Sequence, residues 1–247
     1  MRDRIHWTVG IALASVVALM QPLAAAAQTQ MPPMVVPTVP DYRKACDAGS
    51  MSSCDKLGDL YSEGKDVTKN PVTAVSYYRK ACNGGDMKGC ADLGEMYLEG
   101  YGVTQDNTAA LSYFRKACDG RNMLGCDSVG TMYQEGRAVT KNFSTALTYY
   151  RDACEGGYMA SCHRLGDIYG GNEMFLIGEN HPDEDGPKAV YYYRKACDGN
   201  YADGCVRLAG LYESGDLVPR DNAKARQFYQ KACKLGEHNS CNALKKM

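Results

Sequence analysis

The stretch "YRKACNGGDMKGC" (residues 78–90) places seven residues between two cysteines, and the chain repeats it as "FRKACDGRNMLGC" (114–126), "YRDACEGGYMASC" (150–162) and "YRKACDGNYADGC" (193–205). Residues eight positions apart in one continuous helix lie ~12 Å apart along its axis. A disulfide holds its Cα atoms within roughly 4.4 to 6.8 Å. If each pair is bonded, the chain must turn between the two cysteines. The intervening residues agree, because each stretch opens with Asn, Asp or Glu followed at once by Gly. Such residues close helix C-termini and permit left-handed backbone angles. Each pair is therefore expected to staple the end of one helix to the start of the next.

All twelve cysteines obey this spacing: Cys46 and Cys54, Cys82 and Cys90, Cys118 and Cys126, Cys154 and Cys162, Cys197 and Cys205, Cys233 and Cys241. An even count at uniform spacing favours local pairing over shuffled connectivities. Structural zinc sites instead use cysteine pairs two to four residues apart, combined into fours. The spacing thus predicts six disulfides and no metal. Chain entropy gives each nine-residue loop ~2.5 kcal/mol.

First cysteines fall at 46, 82, 118, 154, 197 and 233, in steps of 36, 36, 36, 43 and 36. A fixed period of this size is the mark of a solenoid of helix pairs. Counting from the second cysteine, Cys90, Leu93, Gly94 and Tyr97 share one helical face, as do Leu57, Gly58 and Tyr61 after Cys54. In the following helix Ala110, Phe114 and Cys118 stack at i, i+4 and i+8, with Ala74, Tyr78, Cys82 and Ala146, Tyr150, Cys154 in register. Between the helices, "EGKDVTKN" (63–70), "EGYGVTQDN" (99–107), "EGRAVTKN" (135–142) and "SGDLVPRDN" (214–222) supply a Gly stop and an Asn or Asp start. The expected fold is all-α: an α/α superhelical solenoid of five full helix-turn-helix repeats over residues 41–247, with a half repeat at each end.

The landmarks "LGEMYLEGYGV" (93–103), the Ala with "YYRKAC" of the second helix, and the closing Gly-Cys together resemble the Sel1-like repeat, a relative of the tetratricopeptide repeat. With a cysteine pair in every unit, the chain is similar to the exported, disulfide-rich branch of that family, the Helicobacter cysteine-rich proteins. The resemblance spans about residues 41–247. It departs at Ala209, which replaces the helix glycine, and in the fourth unit, which is seven residues longer. It implies that the first helices line a concave face. It also implies an alternative activity, because that branch includes members described as penicillin-binding proteins and weak β-lactamases.

The N-terminus is a different polymer. "MRDR" gives a basic start, an apolar run follows, and "LAAAAQ" ends in small residues. This pattern predicts a signal peptide over 1–27, cleaved after Ala27, then a Pro-rich linker over 28–40. The mature chain should be periplasmic or secreted, where thiols persist as disulfides. No later segment reaches the ~18 apolar residues of a membrane span. A net charge of −1 does not fit a generic nucleic-acid binder.

Helix phase nominates a ligand face opposite the core stripe, at offsets 1, 2 and 5 from each second cysteine. Those positions give Asp55, Asp59, Asp92, Glu95 and Asp127 in the first three units, then Arg164, Asp167 and Arg207. The result is a groove graded from acidic to mixed or basic, expected to take an extended, partly cationic segment of a protein or peptide, or a peptidoglycan-related ligand. Exposed helix faces are also normally charged. The Arg-Lys pairs 43–44, 79–80, 115–116 and 194–195 form a basic ladder that complements the C-terminal ends of the second helices.

An insertion at about 171–184 carries Met174, Phe175, Leu176 and Ile177, which read either as a contact tip or as a cluster folded onto the solenoid. His181 with Asp183, Glu184 and Asp185 is a weak metal set. Ser53-x-x-Lys56 and Ser62-x-x-Lys65 match the serine β-lactamase Ser-x-x-Lys motif, but Ser-Asp-Asn and Lys-Thr-Gly are absent. No catalytic residue is assigned. The chain is expected to act as a monomer, without cofactor.

Overall fold

The computed structural model describes residues 37–171 and 185–247. The expected signal peptide, most of the linker, the apolar residues 174–177 and the set His181, Asp183 and Glu184 lie outside the described residues.

Twelve helices and no strand occur among the described residues. Five hairpins follow one another: α2 (Met51–Glu63) with α3 (Pro71–Asn83), α4 (Met87–Glu99) with α5 (Asn107–Asp119), α6 (Met123–Glu135) with α7 (Phe143–Glu155), α8 (Met159–Tyr169) with α9 (Gly186–Asp198), and α10 (Ala202–Ser214) with α11 (Asn222–Lys234). Single helices α1 (Val39–Asp47) and α12 (His238–Leu244) close the ends. The repeat count and both half repeats agree with the sequence reading. The first helix begins at Val39, two residues before the expected start, because the Asp41 carboxylate accepts from the Thr38 N–H and hydroxyl.

Each hairpin turn follows from its sequence. Gly64, Gly100, Gly136 and Gly215 end first helices at φ of 67 to 80°, a region closed to most L-residues. Asn70, Asp106, Asn142, Asp185 and Asp221 then cap the second helices through their side chains. All six disulfides join a second helix to the first helix of the next repeat, the outer two involving α1 and α12, with Cα atoms 4.5 to 4.9 Å apart.

One detail of that staple differs from expectation. The Gly directly after each second helix is not the left-handed residue: Gly84, Gly120 and Gly199 have φ near −80°. The left-handed position is the next one, held by Gly85 and Gly157 but also by Arg121 and Asn200. The first glycine is small for a packing reason. A Cβ at Gly84 would fall on Met51 Sδ, and Gly120, Gly156 and Gly199 stand in the same relation to Met87, Met123 and Met159. The four inner cysteine staples are thus each wedged by a methionine from the preceding first helix.

The core is a file of identical layers. Leu57, Leu93, Val129, Leu165 and Leu208 are fully buried, as are Ala74, Ala110, Ala146, Ala189 and Ala225. Between them lie Tyr78, Phe114, Tyr150 and Tyr193, each ring against the helix glycine of its own repeat. A thin solenoid has no deep centre, so aromatic rings filling the gap within each hairpin carry much of the burial.

Candidate functional site

Successive first helices touch, α2 with α4, α4 with α6 and α8 with α10, and form the inner layer. This contact corrects the predicted ligand face. Asp55, Asp127 and Asp167 are only 5, 6 and 1% exposed. Offset 1, and at Asp167 offset 5, point toward the first helix of the neighbouring repeat, so these carboxylates are not free charges on an open groove. Asp59, Asp92 and Arg164 are half-buried, and Glu95 and Arg207 are exposed.

Between repeats one and two, Lys88 Nζ lies 2.8 Å from Asp55 Oδ2, 2.7 Å from Asp92 Oδ2 and 3.3 Å from Asp59 Oδ1. Tyr78 donates its hydroxyl to Asp59 Oδ1 at 3.0 Å. Burial pushes the Asp55 carboxyl up to about 7 against the pull of Lys88. Asp92 is also raised by burial. Lys88 is held above its ordinary value because hydrogen bonds to Asp55 and Asp92 outweigh its desolvation. The three carboxylates lie within ligand distance of one another, and the cation at their centre is the Lys88 ammonium.

The seams farther along pair one carboxylate with one arginine each. Asp127 accepts from Ser161 Oγ at 2.6 Å and faces Arg164 Nη2 at 3.4 Å. The Arg164 guanidinium lies 5.0 Å from the Tyr150 ring centroid. Asp167 accepts from the Tyr193 hydroxyl at 2.7 Å, with Arg207 Nε and His163 Nδ1 each at 3.4 Å. Burial pulls His163 below its ordinary value, partly opposed by Asp167.

Two pockets open on this face at equivalent places. One, of about 490 Å³, is lined by Ser62, Tyr78, Asp92, Glu95, Met96 and Glu99, with Tyr101 and Lys69 at its side. Its counterpart between repeats four and five, of about 450 Å³, is lined by Asp167, Gly170, Tyr193, Arg207, Gly210 and Leu211, with Val206 and Tyr229. The wall positions correspond residue by residue, Asp92 to Arg207 and Glu95 to Gly210. Both pockets therefore share a tyrosine floor, and their walls differ in charge.

The other sequence candidates fall elsewhere. Ser53 Oγ pairs with Ser50 Oγ, and Ser62 Oγ donates to the Asp59 carbonyl beside the Tyr78 hydroxyl. Neither serine has a lysine among its partners within the described residues, and the hydrolase alternative gains no support from them. The Arg-Lys ladder proves to be structural. Arg43, Arg79, Arg115 and Arg194 each donate to a tyrosine eighteen residues later: Tyr61, Tyr97, Tyr133 and Tyr212. Two of the lysines reach back to the preceding second helix, Lys80 to Asp47 at 3.1 Å and Lys116 to the Cys82 carbonyl at 3.0 Å. The stacked pairs Tyr61–Tyr77, Tyr97–Tyr113 and Tyr133–Tyr149 complete a layer that helix phase alone did not single out. Its sequence signal is the invariant eighteen-residue step from arginine to tyrosine.

An array of helical hairpins with a graded inner face defines an interaction scaffold. The family model of the Sel1 repeat matches residues 52–86, 88–122, 121–158, 160–201 and 202–237. The chain belongs to the Sel1 repeat family, whose members generally bind proteins. It is similar to a Sel1 repeat protein from Oxalobacter formigenes, with 25% identity, 82% of this chain and 86% of that chain covered, and a TM-score of 0.69. It is also similar to a protective antigen present in uropathogenic Escherichia coli strains, with 30% identity and a TM-score of 0.61 over 83% of this chain and 43% of that chain. Helicobacter pylori cysteine rich protein B matches at 31% identity over 57% of this chain and 96% of that chain, with a TM-score of 0.43. A search of curated proteins found no match.

Proposed function

We propose that the protein is an exported scaffold that holds an extended segment of another protein along its inner face. The basic part of that segment lies over repeats one and two, and its acidic or neutral part runs toward repeats four and five. The observation that carries this reading is the charge difference between the two equivalent pockets. Asp92, Glu95 and Glu99 wall the first with Lys69 as its one cation, whereas in the second Arg207 stands against Asp167 and Gly210 takes the place of Glu95. Six disulfides fit an oxidising compartment, and the N-terminal pattern fits export. No helix among the described residues is long and apolar enough to cross a membrane. A stapled scaffold loses little conformational freedom on binding, which favours affinity.

The test is selection from a display library of extended peptides, followed by titration of a selected peptide. Reversal of Asp92 and Glu95 to Lys should weaken binding about tenfold, with the loss shrinking as salt is raised. Glu95→Lys with Glu99→Lys repeats the test at two exposed positions that hold no ion pair among the described residues. Unchanged affinity in both variants rejects this face. A peptidoglycan-related ligand enters the same assay as a competitor, and sedimentation of the free chain checks that the scaffold is a monomer.

A further inference from the structure

On the outer face, the second helices of the last two repeats, α9 and α11, enclose a pocket of about 440 Å³. Arg194, Lys224, Lys231 and Lys234 line it, with Phe228 as its floor and Asp198 as its single acid. Another outer pocket, between α5 and the turn after α6, is lined by Arg115, Lys116 and Asp119 with Ala138 and Val139.

Repeat-by-repeat comparison explains the surplus. The position one residue after the first cysteine is Asn83, Asp119, Glu155 and Asp198 in earlier repeats, and Lys234 in the last. At two other repeats that position is an acid paired with a lysine of the next second helix, Asp198 with Lys231 and Asp47 with Lys80. Lys234 reverses the charge. The position of Lys224 is Thr73, Ala109, Thr145 and Lys188 in earlier repeats. Lys231 and Lys224 hold one ion pair each, the former with Asp198 at 3.3 Å. Lys224 pairs with Asp221 at 3.1 Å, and Arg194 makes one hydrogen bond, to the Tyr212 hydroxyl at 3.4 Å, while its guanidinium lies 5.6 Å from the Phe228 ring centroid. Four cations thus converge on one concavity with one acid among its lining residues.

We infer that this outer pocket is an anion site that takes a phosphate group, independent of the peptide face. A planar guanidinium offers paired donors to phosphate oxygens, and three ammonium groups supply point charges around it. The same chemistry is presented by a free polyphosphate and by a phospholipid headgroup.

The experiment titrates the full mature chain with pyrophosphate by calorimetry, and separately with vesicles of phosphatidylglycerol or phosphatidylcholine. The probe variant is Lys234→Asp, which installs the residue that Asp119 and Asp198 already provide in other repeats, with Lys224→Thr as a second. Both positions are exposed, so the fold is retained. The expected result is salt-sensitive binding to pyrophosphate or to phosphatidylglycerol vesicles that becomes about tenfold weaker in Lys234→Asp. Binding to pyrophosphate identifies a free ligand, and binding only to the anionic vesicles identifies a headgroup. Absence of binding to both probes, or binding that neither variant weakens, overturns the inference.

Discussion

A Cβ placed on Gly58 would lie 2.4 Å from Cε1 of Tyr78. The tyrosine ring therefore occupies the space that any side chain at that position would need. The same clash, at 2.7 Å, separates Gly130 from Tyr150. Ala209 is the exception, and the ring facing its repeat, Tyr229, is only half-buried and bonds outward to Glu213 at 2.8 Å. Gly58→Ala and Gly130→Ala should each destabilise the protein by about 1–3 kcal/mol through overpacking, despite the gain in helix propensity. Thermal unfolding followed by circular dichroism checks this, and a variant as stable as the parent would mean that the ring moves freely.

The cysteine staples make a covalent prediction. Mass mapping of the unreduced protein should recover only the six local pairs, each bridging eight positions. Replacing Cys118 and Cys126 together by Ser should lower stability by ~2.5 kcal/mol, the loop-closure value. The same change at Cys233 and Cys241 should cost less, because that staple restrains only the short terminal helix α12. Equal losses at the two sites would contradict a stack whose ends fray.

Asp127 is buried and bonded to Ser161 Oγ and Arg164 Nη2 across the seam between α6 and α8. Its truncation removes the acceptor of the Ser161 hydroxyl and one charged partner of the Arg164 guanidinium. Asp127→Ala should destabilise by about 2–3 kcal/mol, because a half-broken seam is worse than an apolar one. Asp127→Asn, which can still accept from Ser161, should lose less. The order of the two variants in urea unfolding is the readout.

The first seam predicts an unusual pH profile. With its carboxyl raised to about 7 from an ordinary value of 3.8, Asp55 keeps a proton in the folded chain that the unfolded chain has released. Its contribution is therefore complete below pH ~4 and is lost as pH rises through 7, by at most about 1.4 kcal/mol per pH unit. Asp92 shifts in the same direction. Subtracting the melting profile of Asp55→Asn from that of the parent should leave a difference that falls between pH 4 and 7. A difference that rises over this range would assign Asp55 to an ordinary ion pair with Lys88.

The residues responsible for the architecture can be read along the chain. Gly64 and Gly100 stop helices, Asn70 and Asp106 start them, and the cysteine period counts the hairpins. These are local signals, carried within a few residues of the structure they specify. What Asp55, Asp127 and Asp167 do was not legible in the same way. Helix phase marks them as opposite the core stripe, yet stacking brings the next repeat against them, some 34 residues farther along the chain. Gly84 misled for a related reason: it is small because Met51, 33 positions earlier, fills the space above it.

The sequence by itself determined the number of hairpins, their turns and the partners of every sulfur, since each depends on contacts inside one period. Only the tertiary structure decided which charges stay in water and which neutralise one another. That outcome depends on the pitch between neighbouring repeats, and pitch is set by side-chain packing summed over whole helices.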